Sequence, residues 1–224
     1  MARESEERAL QRTVEILDAE YGRPVLAPRY PPLDELVFTV LSQNTADVNT
    51  ERSFAALKAR FPRWELARDA DVAQIEEAIA LGGLAHTKAP RIKRILVVLS
   101  PPGGAPDLGA LDALSDDEAA RFLTGLPGIG PKTAACVLLF SLGRPVMPVD
   151  THVHRVARRL ALIPKATTAE QAHPLLTEMV GHDPGQMYAA HVGLVRHGRC
   201  VCHARRPRCE ACPLAGLCPS AGVA

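Results

Sequence analysis

The 224-residue sequence predicts an all-α protein. Three observations carry that expectation. Apolar residues recur every three or four positions along most of the chain, helix starts carry recognisable caps, and alternation of the kind that builds strands is absent. Composition agrees: hydrophobic residues make up 47% but aromatics only 4%, so Ala, Leu and Val must fill the interior. Such an interior favours helices over sheets.

The elements follow in order. Leu10, Val14, Leu17 and Tyr21 form an amphipathic stripe, repeated by Leu36, Val37, Val40 and Leu41. Ile75, Ala78 and Ile79 continue it, and then Ile92, Ile95, Leu96 and Leu99. Ser115 with Glu118, and Thr167 with Glu170, read as capping boxes. Asp183-Pro184 reads as a cap followed by proline at the first helical position. Breakers at Arg23 to Pro32 and Ser100 to Asp107 separate helices, and a third irregular stretch follows His197. The opening MARESEERALQRTVEIL is charged and lacks the apolar run of a secretory signal. No stretch approaches the roughly 18 apolar residues of a membrane helix. A cytoplasmic protein with no membrane partner is expected.

Net charge is +1, but it is unevenly spread. From Arg144 onward ten Lys/Arg face five Asp/Glu, whereas the first 143 residues carry sixteen against twenty. A basic C-terminal part suits a phosphate-facing surface or a merely solvated face.

Four of the six cysteines read Cys202-x6-Cys209-x2-Cys212-x5-Cys218. Thiols crowded into a short loop of a cytoplasmic protein point to metal rather than disulfides. The long, unequal outer gaps favour a 4Fe–4S cluster over tetrahedral zinc, with a structural zinc knuckle the alternative. Cys200 is not needed to complete the set, and Cys136, within AACVLLF, reads as a small core residue.

Leu126-Pro127-Gly128-Ile129-Gly130-Pro131-Lys132-Thr133-Ala134 reads as a helix–hairpin–helix turn. Its glycines permit positive φ, and exposed N–H groups of the turn and of the following helix bind phosphate without reading sequence. Lys132 falls in the first turn of that helix, where the macrodipole disfavours a cation. It reads either as an amine nucleophile able to form a Schiff base with a sugar C1′ or as a phosphate contact. In Val146-Met147-Pro148-Val149-Asp150-Thr151-His152, Asp150 stands at a helix start. A capping role there is compatible with a catalytic one, orienting the lysine or stabilising charge on a departing sugar.

LPGIGPKTA, VDTH and the terminal cysteine spacing, in this order, resemble the endonuclease III family of helix–hairpin–helix DNA glycosylases, and the resemblance runs over essentially the whole chain. It implies two helical domains with a DNA-binding groove between them. One is a six-helix barrel at 25–144 that carries the hairpin. The other is a cluster domain made of 1–24 and 145–224. It implies Lys132 as nucleophile, Asp150 as catalytic aspartate, and Cys202, Cys209, Cys212 and Cys218 as ligands of the 4Fe–4S cluster. Gly128, Gly130 and Thr133 fall in the phosphate-binding hairpin. Gln43, or Asn44 if counted without a gap from Ser42 to Asp47, matches the residue that fills the space left by an extruded nucleotide, and Leu84 the apolar wedge. Arg205, Arg206 and Arg208 lie between two cluster cysteines and are expected to meet phosphates. Pro131 stands where relatives commonly carry a basic residue.

The expected activity is removal of damaged pyrimidines from double-stranded DNA, followed by β-elimination at the abasic site. A monomer acting on DNA, and so associated with the nucleoid, is expected. A monofunctional adenine or mismatch glycosylase is the rival enzyme, and a non-catalytic DNA-binding or electron-transfer iron–sulfur protein the rival from another class.

Overall fold

The computed structural model describes residues 2–222, with side chains from residue 6 onward. The described residues are all-helical, with no strand among them. None of these helices is long and apolar enough to cross a membrane. The chain divides into two compact units, one contiguous over 29–141 and one made of 1–28 with 142–224.

The contiguous unit holds α2 (Pro32–Ser42), α3 (Asp47–Arg60), α4 (Trp64–Asp69), α5 (Val72–Ala78), α6 (Ala85–Val98), α7 (Asp116–Thr124) and α8 (Pro131–Phe140). Its centre is α2 against α8. Leu36, Val37, Val40 and Leu41 are fully buried, as are Val137, Leu138 and Leu139. Helices apolar on nearly every face stay in water only when covered, and each such side chain contributes about 1.5–3 kcal/mol on burial. Ser141, just past α8, donates to the Tyr30 carbonyl just before α2 at 2.7 Å, and Gln43, just past α2, reaches Thr133 near the start of α8. The two helices therefore run antiparallel. The Ser115–Glu118 capping box forms as expected and α7 follows it.

The split unit holds α1 (Ala2–Tyr21), α9 (Thr151–Arg159), α10 (Ala169–Val180) and α11 (Pro184–Cys200). Leu10 and Leu17 of the predicted α1 stripe are buried, and α11 packs on both α1 and α9. Gly198 permits the latter approach, because a Cβ there would lie 2.8 Å from that of His152. Asp183 caps α11 with its side chain, with Pro184 first in the helix.

Two expectations need correction. The box at the start of α10 is Thr168 with Gln171, not Thr167 with Glu170. Thr167 is drawn inward, where its carbonyl meets His154 Nε2 at 2.8 Å. The last helix also continues past His197 to Cys200, so the irregular tail starts later than its composition suggested.

Candidate functional site

In the contiguous unit, α7 and α8 are joined by the glycine turn. Leu126 and Ile129 anchor it in the core and close it with their own N–H groups. Gly128 (φ +73) and Gly130 are exposed, and their N–H groups donate to nothing among the described residues. Pro131 opens α8, supplying no donor where none is needed. Lys132 follows, half-buried, and Thr133 is buried. A turn with two unpaired N–H groups beside the positive end of a helix is a ready anion site.

The two segments expected to intrude into DNA lie in this same unit. Asn44 and Leu84 both adopt left-handed backbone (φ 52) and both are exposed, Leu84 by 46%. Gln43 is only half-exposed: its Oε1 accepts from Arg91 Nη1 at 2.7 Å and its Nε2 donates to Thr133 Oγ1 at 3.4 Å. Lys88, 3% exposed, ties the segments together. Its ammonium donates to the Leu41 carbonyl at 2.6 Å, to Thr45 Oγ1 at 2.5 Å and, at 3.5 Å, to the Gly82 carbonyl. Thr45 in turn donates to Gly82. Burial, with Arg91 nearby, pushes the Lys88 pKa down, and three oxygens hold the charge that remains. Removing such a partner leaves buried acceptors unsatisfied, at about 1–3 kcal/mol.

Glu35 is a second buried charge that the sequence did not single out. Its side chain is 1% exposed. Oε1 takes Thr39 Oγ1 at 3.3 Å and Arg29 Nη2 at 3.4 Å, while Oε2 has no partner. Arg29 lies over the Phe38 ring, which packs with Tyr30 and Phe54. Burial pushes the Glu35 pKa up, and the charges of Arg29 and Lys132 act the other way. A folded-state pKa above the unfolded 4.5 means that the folded protein keeps a proton the unfolded chain has lost. The stability from this group is therefore full below pH 4.5 and lost as pH rises through the folded value. Glu35→Gln is expected to abolish that decline. Parallel stability–pH curves for the two proteins would remove Glu35 as its source.

In the split unit, Asp150 caps α9, its Oδ1 accepting from the His152 and Val153 N–H groups at 2.8 Å each. The segment leading to it is pinned by two histidines that the sequence did not single out. His173 Nδ1 meets the Met147 carbonyl and His191 Nδ1 the Pro148 carbonyl, both at 2.9 Å, and both rings are buried. Carbonyl partners assign the proton to Nδ1 in each. The Met147 N–H is taken by Thr177 Oγ1 at 2.9 Å.

The same α9 braces the cysteine loop. Arg155 donates to the carbonyls of Cys202 and Gly198, and Arg159 to those of His203 and Ala204 and to Cys202 Sγ at 3.2 Å. Cys202, Cys209, Cys212 and Cys218 line one small apolar pocket with Val156, Leu160 and Leu214. None is in a disulfide. Burial pushes the Cys212 and Cys218 thiols up, and their neighbours' charge pushes the same way. His197, lowered to about 4 by burial, is a neutral ring between Tyr21 OH (3.2 Å) and Cys212 Sγ (3.5 Å). Four cysteines gathered in one apolar pocket suit a positively charged metal group, which would hold them as thiolates. Arg205, Arg206 and Arg208 are exposed on the loop, Arg206 in left-handed backbone. Cys200 is exposed and Cys136 buried.

A glycine turn between two helices, a lysine at the second helix start and a four-cysteine loop define a helix–hairpin–helix protein with an iron–sulfur region. Residues 37–182 match the HhH-GPD superfamily base excision DNA repair protein family, and 202–218 the iron–sulfur binding domain of endonuclease III. The chain belongs to the HhH-GPD superfamily and, within it, to the endonuclease III family.

Endonuclease III of Thermotoga maritima is 34% identical over 84% of this chain and 82% of its own length. A DNA glycosylase homologue of Arabidopsis thaliana is 38% identical, and the chain spans 66% of its length. DNA glycosylase/AP lyase ROS1 of the same plant is 31% identical over 69% of this chain, which spans only 12% of that much longer protein. Among solved structures, a trapped endonuclease III–DNA covalent intermediate superposes with a TM-score of 0.78 over 96% of both chains, at 23% identity. A thermostable thymine-DNA glycosylase gives 0.79 over the full length of both, at 19% identity. At such identities the likeness is one of fold.

Proposed function

We propose that the protein is a bifunctional DNA glycosylase and abasic-site lyase that removes damaged pyrimidines from duplex DNA. The observation that carries this reading is Lys132, half-buried at the start of α8 and directly after a turn with two unpaired, exposed N–H groups. Phosphate on the turn would bring the sugar to the amine without selecting sequence. The lysine amine attacks C1′ and the base departs with the glycosidic electron pair. Asp150, held by its segment's pinned carbonyls, stabilises the positive charge that develops on the sugar. The amine nitrogen gives up its protons, and the C1′–O4′ bond breaks with O4′ taking up a proton, so that the sugar ring opens and leaves an imine. That imine acidifies the C2′ hydrogen, whose removal expels the 3′ phosphate oxygen and cuts the strand. The relative described as a DNA glycosylase/AP lyase supports a reading with both activities.

Cys202, Cys209, Cys212 and Cys218 would hold a 4Fe–4S cluster. No three His, Cys, Asp or Glu side chains of the described residues converge on a single ion, yet the four cysteines share one pocket. One thiolate per corner of a cubane fits that spacing better than four on one zinc. The cluster, when bound, would supply structural cross-linking, and the exposed Arg205, Arg206 and Arg208 on the loop it organises would meet phosphates.

Borohydride reduction with duplexes bearing an abasic site or an oxidised pyrimidine tests the reading, since it freezes the imine. Covalent capture of both is expected. Base release without capture would make the protein a monofunctional glycosylase, and neither would leave a DNA-binding module.

A further inference from the structure

Arg91 is a cation with no carboxylate partner among the described residues, half-buried in the second turn of α6. One of its five guanidinium N–H groups is committed, donating to Gln43 Oε1 at 2.7 Å. Its flat end lies on the bare face of Gly128 in the hairpin turn. A Cβ on Gly128 would stand 2.6 Å from Nε and 2.9 Å from Cδ. The guanidinium thus borders the turn at Gly128, whose N–H is unpaired, as is that of Gly130 two residues on. Gln43, for its part, spends both ends of its amide inside the protein, on Arg91 and Thr133. Its neighbour Asn44 is exposed on left-handed backbone.

We propose that Arg91 is a DNA-binding residue shared by the hairpin and the 43–45 segment: it takes the phosphate held by the glycine turn and, through Gln43, sets the position from which Asn44 enters the space left by an extruded nucleotide. Gln43 is then a strut and Asn44 the plug. Grip on the backbone and filling of the gap are joined through one side chain, so a gap-bearing duplex is favoured only when the phosphate is in register. Arginine suits this task because a planar fork can serve an amide and a phosphate together. The inference rests on the reading that the hairpin binds the DNA backbone.

The test is a salt titration of binding by full-length, cluster-loaded protein to an intact duplex and to one carrying a tetrahydrofuran abasic analogue. Arg91→Met is expected to shallow the slope of log K against log salt by about 0.9 on both duplexes, the loss of one phosphate contact. It should also reduce the preference for the abasic analogue roughly tenfold, as loss of a charge-assisted hydrogen bond implies. Gln43→Leu should reduce that preference similarly while keeping the wild-type slope, because no charge is lost. Arg91→Lys should keep the slope and lose the preference. Helical circular dichroism and iron absorbance at wild-type values confirm that each variant is folded. A wild-type slope in Arg91→Met overturns the phosphate contact, and an unchanged preference in Gln43→Leu overturns the strut. Wild-type protein that binds neither duplex would instead sink the DNA-binding reading itself.

Discussion

Lys132→Ala is expected to abolish borohydride capture on abasic and damaged duplexes, a fall of at least about a thousandfold, because this amine is the group proposed to form the imine. Lys132 is the second residue of α8, where the helix field opposes a cation and a residue chosen for stability alone would be neutral or acidic. DNA binding should be largely kept, since the turn's N–H groups at Gly128 and Gly130 are untouched. Lys132→Gln, similar in length and polarity, separates chemistry from packing and should fail equally. Undiminished cross-linking in either variant would remove Lys132 as nucleophile. The α8 N-terminus borders buried Thr133 and Ala134, so thermal unfolding at a wild-type temperature is the necessary control.

The second large effect is expected from the cysteine loop. Residues 201–222 contain only two short 3₁₀ turns, at Cys209–Ala211 and Ala215–Leu217, and Leu214 is their one buried apolar anchor among the described residues. So little apolar burial cannot offset the entropy of ordering such a stretch, at about 1–2 kcal/mol per residue. Beyond the contacts from Arg155 and Arg159, a bound metal group is expected to supply much of what holds the loop.

Purified protein is therefore expected to be yellow-brown with about four irons per chain. Cys212→Ala should lose the visible absorption and expose the loop to proteolysis. The helices of the 29–141 unit, which take no ligand from the loop, should keep their circular dichroism. Because the ligands must be thiolates and burial raises the Cys212 and Cys218 thiols, cluster loss should begin on the acid side. Stoichiometric zinc without visible absorption, in protein made with ample iron, would replace the cluster by a zinc knuckle.

Much of the molecule was legible in its sequence because the signals are short-ranged. Helical periodicity, the Ser115–Glu118 box, the Asp183 and Asp150 caps and the proline at the start of α8 all act within four residues. The four cysteines share a seventeen-residue stretch, so their common pocket could be expected before the fold was known. The capping box at Thr167 was misplaced by one residue because two adjacent threonines offer the same local chemistry. Only the inward contact from His154 decides between them.

What tertiary structure alone decided is the fate of charges. Lys88 reads like any solvated helix lysine until Leu41 and Thr45, 47 and 43 residues earlier, converge on its ammonium. Arg91 and Gln43 meet across 48 residues, and Gln43 and Thr133 across 90. His173 and His191 meet the carbonyls before Asp150 from 26 and 43 residues away. Nothing within a helical turn separates a buried, partnered ion from an exposed one. That difference is set by desolvation and by distant acceptors, which exist only once α2, α6 and α8, or α9 to α11, have packed.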